Sequence, residues 1–341
     1  MIATVGLDRI DQILHRATRT KITVVGDLML DIYLSGAVHR ISPEAPVPVV
    51  QVVEERTALG GAANVAANVL RRGARCDVIG FAGSDAAGDL LRRGIETLDG
   101  GAVRAILVDT PGRPTTTKTR VMARKQQVVR YDREVEDDLP AEAGERLCDR
   151  IRESVRDSDV LVLEDYNKGV LTPGVIASAL MTAREANVPV VVDPKFRNIF
   201  EYQGATVFKP NALELTSALG MPIEPGNDGW LEQARSRFDC DYLLVTLGEA
   251  GMVIRSRSGE TTRVPAVARE VFDVSGAGDT VTAFVAVALA GGADIREAAV
   301  IANFAAAIEV GKPGVATVAP RELREMVEHF HAEPMTVSEI R

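Results

Sequence analysis

Short runs rich in β-branched and apolar residues recur along this chain, each separated from the next by a stretch with helical periodicity. Lys21 to Gly26, Asp77 to Phe81, Val160 to Leu163, Val188 to Val192 and Tyr242 to Thr246 read as strands buried on both faces. Amphipathic segments such as Leu139 to Arg156 and Pro173 to Ala186 lie between them, the spacing of right-handed βαβ units. Such strands need helices on both sides, so the pattern predicts an α/β fold with a doubly wound, mostly parallel sheet. At 341 residues, one large domain with a small appended lobe fits the length as well as two ordinary domains do.

Two stretches break this rhythm. Tyr33 to Thr57 carries Pro43, Pro46 and Pro48 beside the alternating Val47, Val49, Gln51 and Val53, and Thr115 to Glu134 reads as two polar strands with a turn near Lys125-Gln126. Lys118, Arg120, Met122 and Arg124 would share one face if extended. We expect a small β-sheet lid made from two insertions, 33–57 and 115–134, on an α/β domain comprising 1–32, 58–114 and 135–330, with 331–341 as a flexible tail. A lid of this kind covers a cleft, and its free edges invite pairing with a second copy, giving a homodimer through the lid. Two ordinary surface hairpins are the competing reading.

Composition narrows the partners. Hydrophobic residues make up 46% and charged residues 26%, as in a water-soluble globular chain. A net charge of −9 and a pI near 5.2 argue against nucleic acid or an anionic membrane surface as partner, so a phosphorylated ligand needs a local basic pocket. Cys76, Cys148 and Cys240 lack paired metal-ligand spacing and read as reduced thiols, and the four histidines form no HExxH pattern. With no signal-like block at the start and no stretch long and apolar enough to span a bilayer, a cytoplasmic location is expected.

The clearest chemistry lies in Asp273-Val274-Ser275-Gly276-Ala277-Gly278-Asp279, followed at once by Val281, Phe284, Val285, Ala288 and Leu289 at one-face helical spacing. Gly276, Ala277 and Gly278 let backbone N–H groups crowd around an anion, and the helix beginning there presents its positive dipole end. Asp279 makes little sense as an anion ligand in that position, but good sense as a base taking a proton from a hydroxyl that attacks a phosphoryl group. A glycine-rich turn capped by aspartate is the plainer alternative.

Other constellations carry paired readings. Gly60-Gly61-Ala62-Ala63-Asn64 opens a helix at which a polyol can approach the backbone, with Asn64 as donor and acceptor, or else marks close helix packing. Asp27, at the end of the first strand, is placed to accept hydrogen bonds from sugar hydroxyls or to cap a helix. Asn211 and Glu214 form either a capping pair or a set of hard oxygen ligands for magnesium against nucleotide phosphates, directly or through water. Thr246, Gly248 and Gly251 lie in a turn that borders a nucleotide or simply closes a hairpin. Neither a P-loop nor a protein-kinase set occurs, and no GxGxxG follows the first strand.

Gly60-Gly61 with Asn64, Asn211 with Glu214, and Gly276-Ala277-Gly278-Asp279, in this order and at these distances, resemble the ribokinase-like (PfkB) carbohydrate kinases from about Lys21 to Leu323. The resemblance implies a sugar bound under a β-sheet lid and ATP beyond the anion loop. It also implies Asp279 as base, Gly276 to Gly278 as anion hole, Asn211 and Glu214 organising magnesium and phosphate, and Asp27, Gly60, Gly61 and Asn64 holding the sugar. Arg40-Ile41-Ser42-Pro43-Glu44-Ala45-Pro46-Val47-Pro48-Val49, running into Gly60-Gly61-Ala62-Ala63-Asn64-Val65-Ala66, is similar to one group within the family, the D-glycero-β-D-manno-heptose 7-phosphate kinases. These phosphorylate the anomeric hydroxyl to give the 1,7-bisphosphate for lipopolysaccharide core heptose. Some relatives carry a fused nucleotidyltransferase with an HxGH loop; this chain ends shortly after His329-Phe330-His331, so that activity is expected to belong to another protein.

A substrate of that class brings its own dianion. Lys118, Arg120, Arg124 and Lys195 are the candidate cations, with Arg120 and Lys195 preferred. A monovalent cation site around Val271 to Gly314 is left open. The rival expectations are another PfkB-type sugar, sugar-phosphate or nucleoside kinase, a non-catalytic sugar-binding dimer, and a nicotinamide dehydrogenase.

Overall fold

The computed structural model describes residues 5–98, 102–124, 126–268 and 270–332. Its main sheet contains β1 (Lys21–Gly26), β4 (Arg75–Phe81), β5 (Val103–Val108), β8 (Val160–Glu164), β9 (Val190–Asp193), β10 (Val207–Phe208) and β11 (Tyr242–Thr246), all parallel. An antiparallel edge of β12 (Met252–Ser256) and β13 (Thr261–Val264) completes it, in the order β13-β12-β11-β10-β9-β8-β1-β4-β5. This is the doubly wound arrangement that the alternating sequence predicts.

Successive strand residues feed two separate cores, because neighbouring side chains leave a strand on opposite faces. Ile22 and Val24 of β1, with Val160 and Val162 of β8, pack on one side against α1 (Leu7–Ala17), α2 (Ala62–Arg71), α3 (Ala86–Glu96), α8 (Ala277–Ala290), α9 (Ile295–Glu309) and α10 (Pro320–Ala332). Val25, Leu161 and Leu163 pack on the other, against α4 (Ala141–Val155), α5 (Pro173–Ala186), α6 (Ala212–Leu219) and α7 (Asp228–Phe238). Helix α8 is buried from Asp279 through Ala288, which explains its apolar sequence on every face.

A second sheet, ordered β3-β2-β6-β7, stands apart from the first. Strands β2 (Leu28–Ile41) and β3 (Pro48–Gly61) form one long antiparallel hairpin, and β6 (Thr116–Ala123) joins β2 in parallel before turning into β7 (Gln126–Arg133). The hairpin starts deeper than the proline-rich signal suggests. Leu28 to Asp31 are buried, so β2 leaves the main body almost directly after β1, whereas its tip from His39 to Ile41 is exposed. Arg124 does not continue the Lys118-Arg120 face: it lies in the turn with φ 57°, and the pairing register already slips between Val121 and Met122. Lys125 and residues 333–341 of the expected tail lie outside the described residues. No helix among the described residues is long and apolar enough to cross a membrane.

Candidate active site at the carboxyl ends of the strands

Gly276 precedes α8 with φ 94°, a conformation that favours glycine, and an added Cβ would stand 3.0 Å from Asn64 Nδ2 and 3.1 Å from Glu309 Oε1. This turn leaves the N–H groups of Gly276, Gly278 and Asp279 without a hydrogen-bond partner among the described residues. They are the orphan donors of a helix start, gathered at one point.

Asp279 lies one turn into that helix and is buried. Its Oδ1 accepts the Tyr166 hydroxyl at 2.5 Å and its Oδ2 accepts Asn64 Nδ2 at 2.9 Å. Asn64 in turn accepts at Oδ1 from Asn68 Nδ2 at 3.2 Å, and Asn68 Oδ1 accepts the Val318 N–H at 3.1 Å, so the amide that holds the base is itself oriented. Burial lifts the Asp279 carboxyl to about 6, against the two hydrogen bonds that favour its ionised form. A base in that range is ionised at neutral pH yet still accepts a proton readily.

Strand ends bring further charge to the same place. One carboxylate oxygen each from Glu164, Asp193 and Asp279 lie within 4.8 Å of one another. Asp193 pairs with the buried Lys209 ammonium at 2.8 Å and accepts Thr282 Oγ1 at 3.1 Å. Burial opposes the Lys209 charge, but Asp193 and Glu164 outweigh it and raise its pKa. Within normal hydrogen-bond geometry neither oxygen of Glu164 has a partner among the described residues, and burial, then Asp193 and Asp279, hold its carboxyl well above the ordinary range. Like charges this close disfavour one another's ionisation, and the most deeply buried of the three, Glu164, is pushed upward by both neighbours.

The sequence-predicted residues divide by what already engages them. Asn64, Gly276 and Gly278 converge on Asp279, as described. Gly61, with φ 58°, ends β3 and starts α2, and an added Cβ at Gly60 would meet Asp31 and Met29, so both glycines permit close packing at the helix start. Asp27 does not face a ligand space as expected. It is 1% exposed, and its carboxylate accepts the backbone N–H groups of Tyr166 at 2.8 Å, Lys168 at 2.9 Å and Val170 at 3.2 Å, fixing the loop that carries Tyr166.

Asn211 and Glu214 form a reciprocal capping box on α6, with both bonds at 2.9 Å. The remaining Glu214 oxygen accepts Lys195 Nζ, so Lys195 is committed to that ion pair. Arg120 is likewise committed to Asp31, with its guanidinium 5.3 Å from the centre of the Tyr33 ring. Thr246 ends β11 beside Asn211, and the turn beyond it holds Gly248 at φ 60° and Gly251 at φ 84°; Gly251 packs against the backbone of Val264 to Ala266.

Sequence reasoning passed over Tyr166, Asp193 and Lys209 as reactive-site groups. It also missed Glu309, the last residue of α9, which is fully buried behind Gly276 with both oxygens unpartnered. Burial, then Asp279 and Asp273, raise its carboxyl to about 8. An isolated glutamate inside an apolar helix is the only sequence signal for it.

The family model described as pfkB family carbohydrate kinase matches residues 19–322. The chain belongs to the pfkB family. Among curated relatives, the bifunctional protein HldE of Trichlorobacter lovleyi is 44% identical over 333 residues, covering 95% of this chain and 66% of that protein. The protein of the same name from Azorhizobium caulinodans is 46% identical over 314 residues, covering 92% and 65%. This pfkB chain thus spans just under two thirds of the length of those relatives. Two solved structures share its fold. The Arabidopsis thaliana ribokinase complexed with ribose and ATP superposes with a TM-score of 0.70 at 21% identity, over 91% of this chain and 99% of that one. Escherichia coli phosphofructokinase-2 in complex with potassium gives 0.73 at 16%, over 92% and 99%. As a pfkB carbohydrate kinase, the chain is an enzyme that phosphorylates a sugar-class substrate.

Proposed function

We propose that this pfkB kinase transfers the γ-phosphoryl group of ATP to the anomeric hydroxyl of D-glycero-β-D-manno-heptose 7-phosphate, giving the 1,7-bisphosphate used for lipopolysaccharide core heptose. The observation that carries the reaction type is the ionised Asp279 held by Tyr166 and Asn64 beside the free N–H groups of Gly276, Gly278 and Asp279. The acceptor hydroxyl gives its proton to Asp279 as its oxygen attacks the γ-phosphorus, while the N–H groups stabilise the transferring charge. The small sheet excludes water from above. Support for the substrate comes from the segment Arg40 to Val49 running into Gly60-Gly61 and from the relatives named HldE.

Magnesium fits the donor set, since Glu164 has two orphaned oxygens beside Asp193; those two residues, with Glu214 through water, would hold it against the nucleotide phosphates. When bound, it would supply charge neutralisation there. Thr246, Gly248 and Gly251 would border the nucleotide, and Gly60, Gly61 and Asn64 the sugar.

A homodimer through the small sheet belongs to the same proposal. Strand β7 is exposed along its whole length, and Val52, Val53, Val129 and Tyr131 are exposed apolar residues on this sheet. Light-scattering mass on the purified protein tests it; a monomer at micromolar concentration would remove it. The substrate is tested by ADP release with heptose 7-phosphate, unphosphorylated heptose, ribose, fructose 1-phosphate and nucleosides. A best kcat/KM on any other acceptor would replace the heptose reading.

A further inference from the structure

The two cations preferred from sequence for a phosphorylated acceptor are already paired with buried carboxylates. Arg120 gives Nη1 to Asp31, so its charge already offsets a buried carboxylate, and its side chain is only 11% exposed. Lys195 neutralises Glu214, whose side chain is 3% exposed and whose other oxygen caps α6. Diverting either one strands a buried carboxylate, which is strongly unfavourable.

Lys118 is in a different condition. It sits on β6 opposite Asp31 of β2 and Asp132 of β7, yet its ammonium makes no hydrogen bond or ion pair among the described residues. It is held 4.8 Å from the centre of the Tyr166 ring, the same ring whose hydroxyl bonds Asp279. Burial, and then the neighbouring Arg130, disfavour its charge, opposed by Asp31, Asp279 and Glu134, and these groups hold it below the ordinary lysine range. A half-buried, unpaired ammonium beneath the lid is a donor awaiting an anion.

Resting on the phosphorylated-acceptor reading above, we propose that Lys118 is the residue that recognises the acceptor's own phosphate and sets the preference for a phosphorylated over an unphosphorylated sugar. The Tyr166 ring, bonded through its hydroxyl to Asp279 and 4.8 Å from this ammonium, links the two positions, so an acceptor whose hydroxyl reaches Asp279 would turn its distal phosphate towards Lys118. The phosphate gains three charge-assisted donors without breaking any existing ion pair.

The test is the ratio of kcat/KM for heptose 7-phosphate to that for unphosphorylated heptose, measured in the wild type, Lys118→Gln and Lys118→Arg. We expect the ratio to fall at least about tenfold in Lys118→Gln and to be largely restored in Lys118→Arg, the scale of one charged hydrogen bond. An equal loss of kcat on both sugars would overturn the proposal and move Lys118 to the transferring phosphoryl group. A preference retained by Lys118→Gln would overturn it while leaving the heptose 7-phosphate reading intact; a wild type without any preference would overturn both. Independently of folding in the variants, acylation of Lys118 in the wild-type protein should be slowed by heptose 7-phosphate and not by heptose. Equal labelling in both would count against it.

Discussion

Tyr166 donates its hydroxyl proton to Oδ1 of Asp279 at 2.5 Å, joining the loop after β8 to the first turn of α8 at the base itself. A hydrogen bond to a carboxylate favours its ionised form, so this contact holds the Asp279 pKa down against burial. In the wild type, kcat/KM should fall as pH drops through about 6, because only the ionised carboxylate accepts the hydroxyl proton. Tyr166→Phe should move that acid limb to higher pH, with activity recovering on the alkaline side. A pH profile whose midpoint stays put in the variant would show that Tyr166 does not tune the base.

Asp279→Asn removes the proton acceptor while keeping size and polarity. Turnover should fall by roughly 10²- to 10⁴-fold, the usual loss for a general base. Calorimetric ATP affinity should change far less, because the backbone donors of the loop remain. Near-normal turnover in the folded variant would refute the mechanism.

Gly276→Ala tests the anion loop through its backbone. At φ 94° an alanine is strained, and its Cβ would press on Asn64 Nδ2 and Glu309 Oε1. We expect a loss of roughly 1–3 kcal/mol in stability, from strain at a non-glycine left-handed residue, together with a reduced kcat. Chemical denaturation paired with steady-state kinetics reads both; a variant as stable and active as the wild type would mean that the loop is not constrained as described.

Glu309 makes stability depend on pH with a definite sign. Its folded-state pKa of about 8 is raised above the ordinary value of 4.5, so its favourable contribution is full below about 4.5 and is lost as pH rises through about 8. Glu309→Gln cannot ionise and keeps the size of the side chain. Melting temperatures measured from pH 6 to 9.5 should therefore decline less in the variant than in the wild type. Parallel declines would place the titration elsewhere.

Much of the main sheet was legible because its strands are buried on both faces. Strands β1 and β11 and helix α5 fall on the boundaries expected from their apolar patterns; α5 opens on Pro173 and closes at Asn187 in the left-handed region. Of the antiparallel edge, the hairpin turn after β11 was one of the two readings of Thr246 to Gly251, whereas β13 was not foreseen, because a short half-exposed strand gives a weak signal. The second sheet was recognised from its prolines and alternation, but its root was not. Leu28 to Leu30 follow β1 as one apolar run, and nothing local says that the chain changes sheets at Asp27.

The sequence alone pointed to the reaction class, because a glycine-rich loop, the apolar helix after it and an aspartate in that helix's first turn are local features written in consecutive residues. It did not determine which groups surround that aspartate. Asn64 and Tyr166 reach it across 215 and 113 residues, and the commitments of Arg120 to Asp31 and of Lys195 to Glu214 cross 89 and 19. Charge pairing and burial act through space, so the fold decided which of these cations are tied to buried carboxylates and which carboxylates stand together at the strand ends.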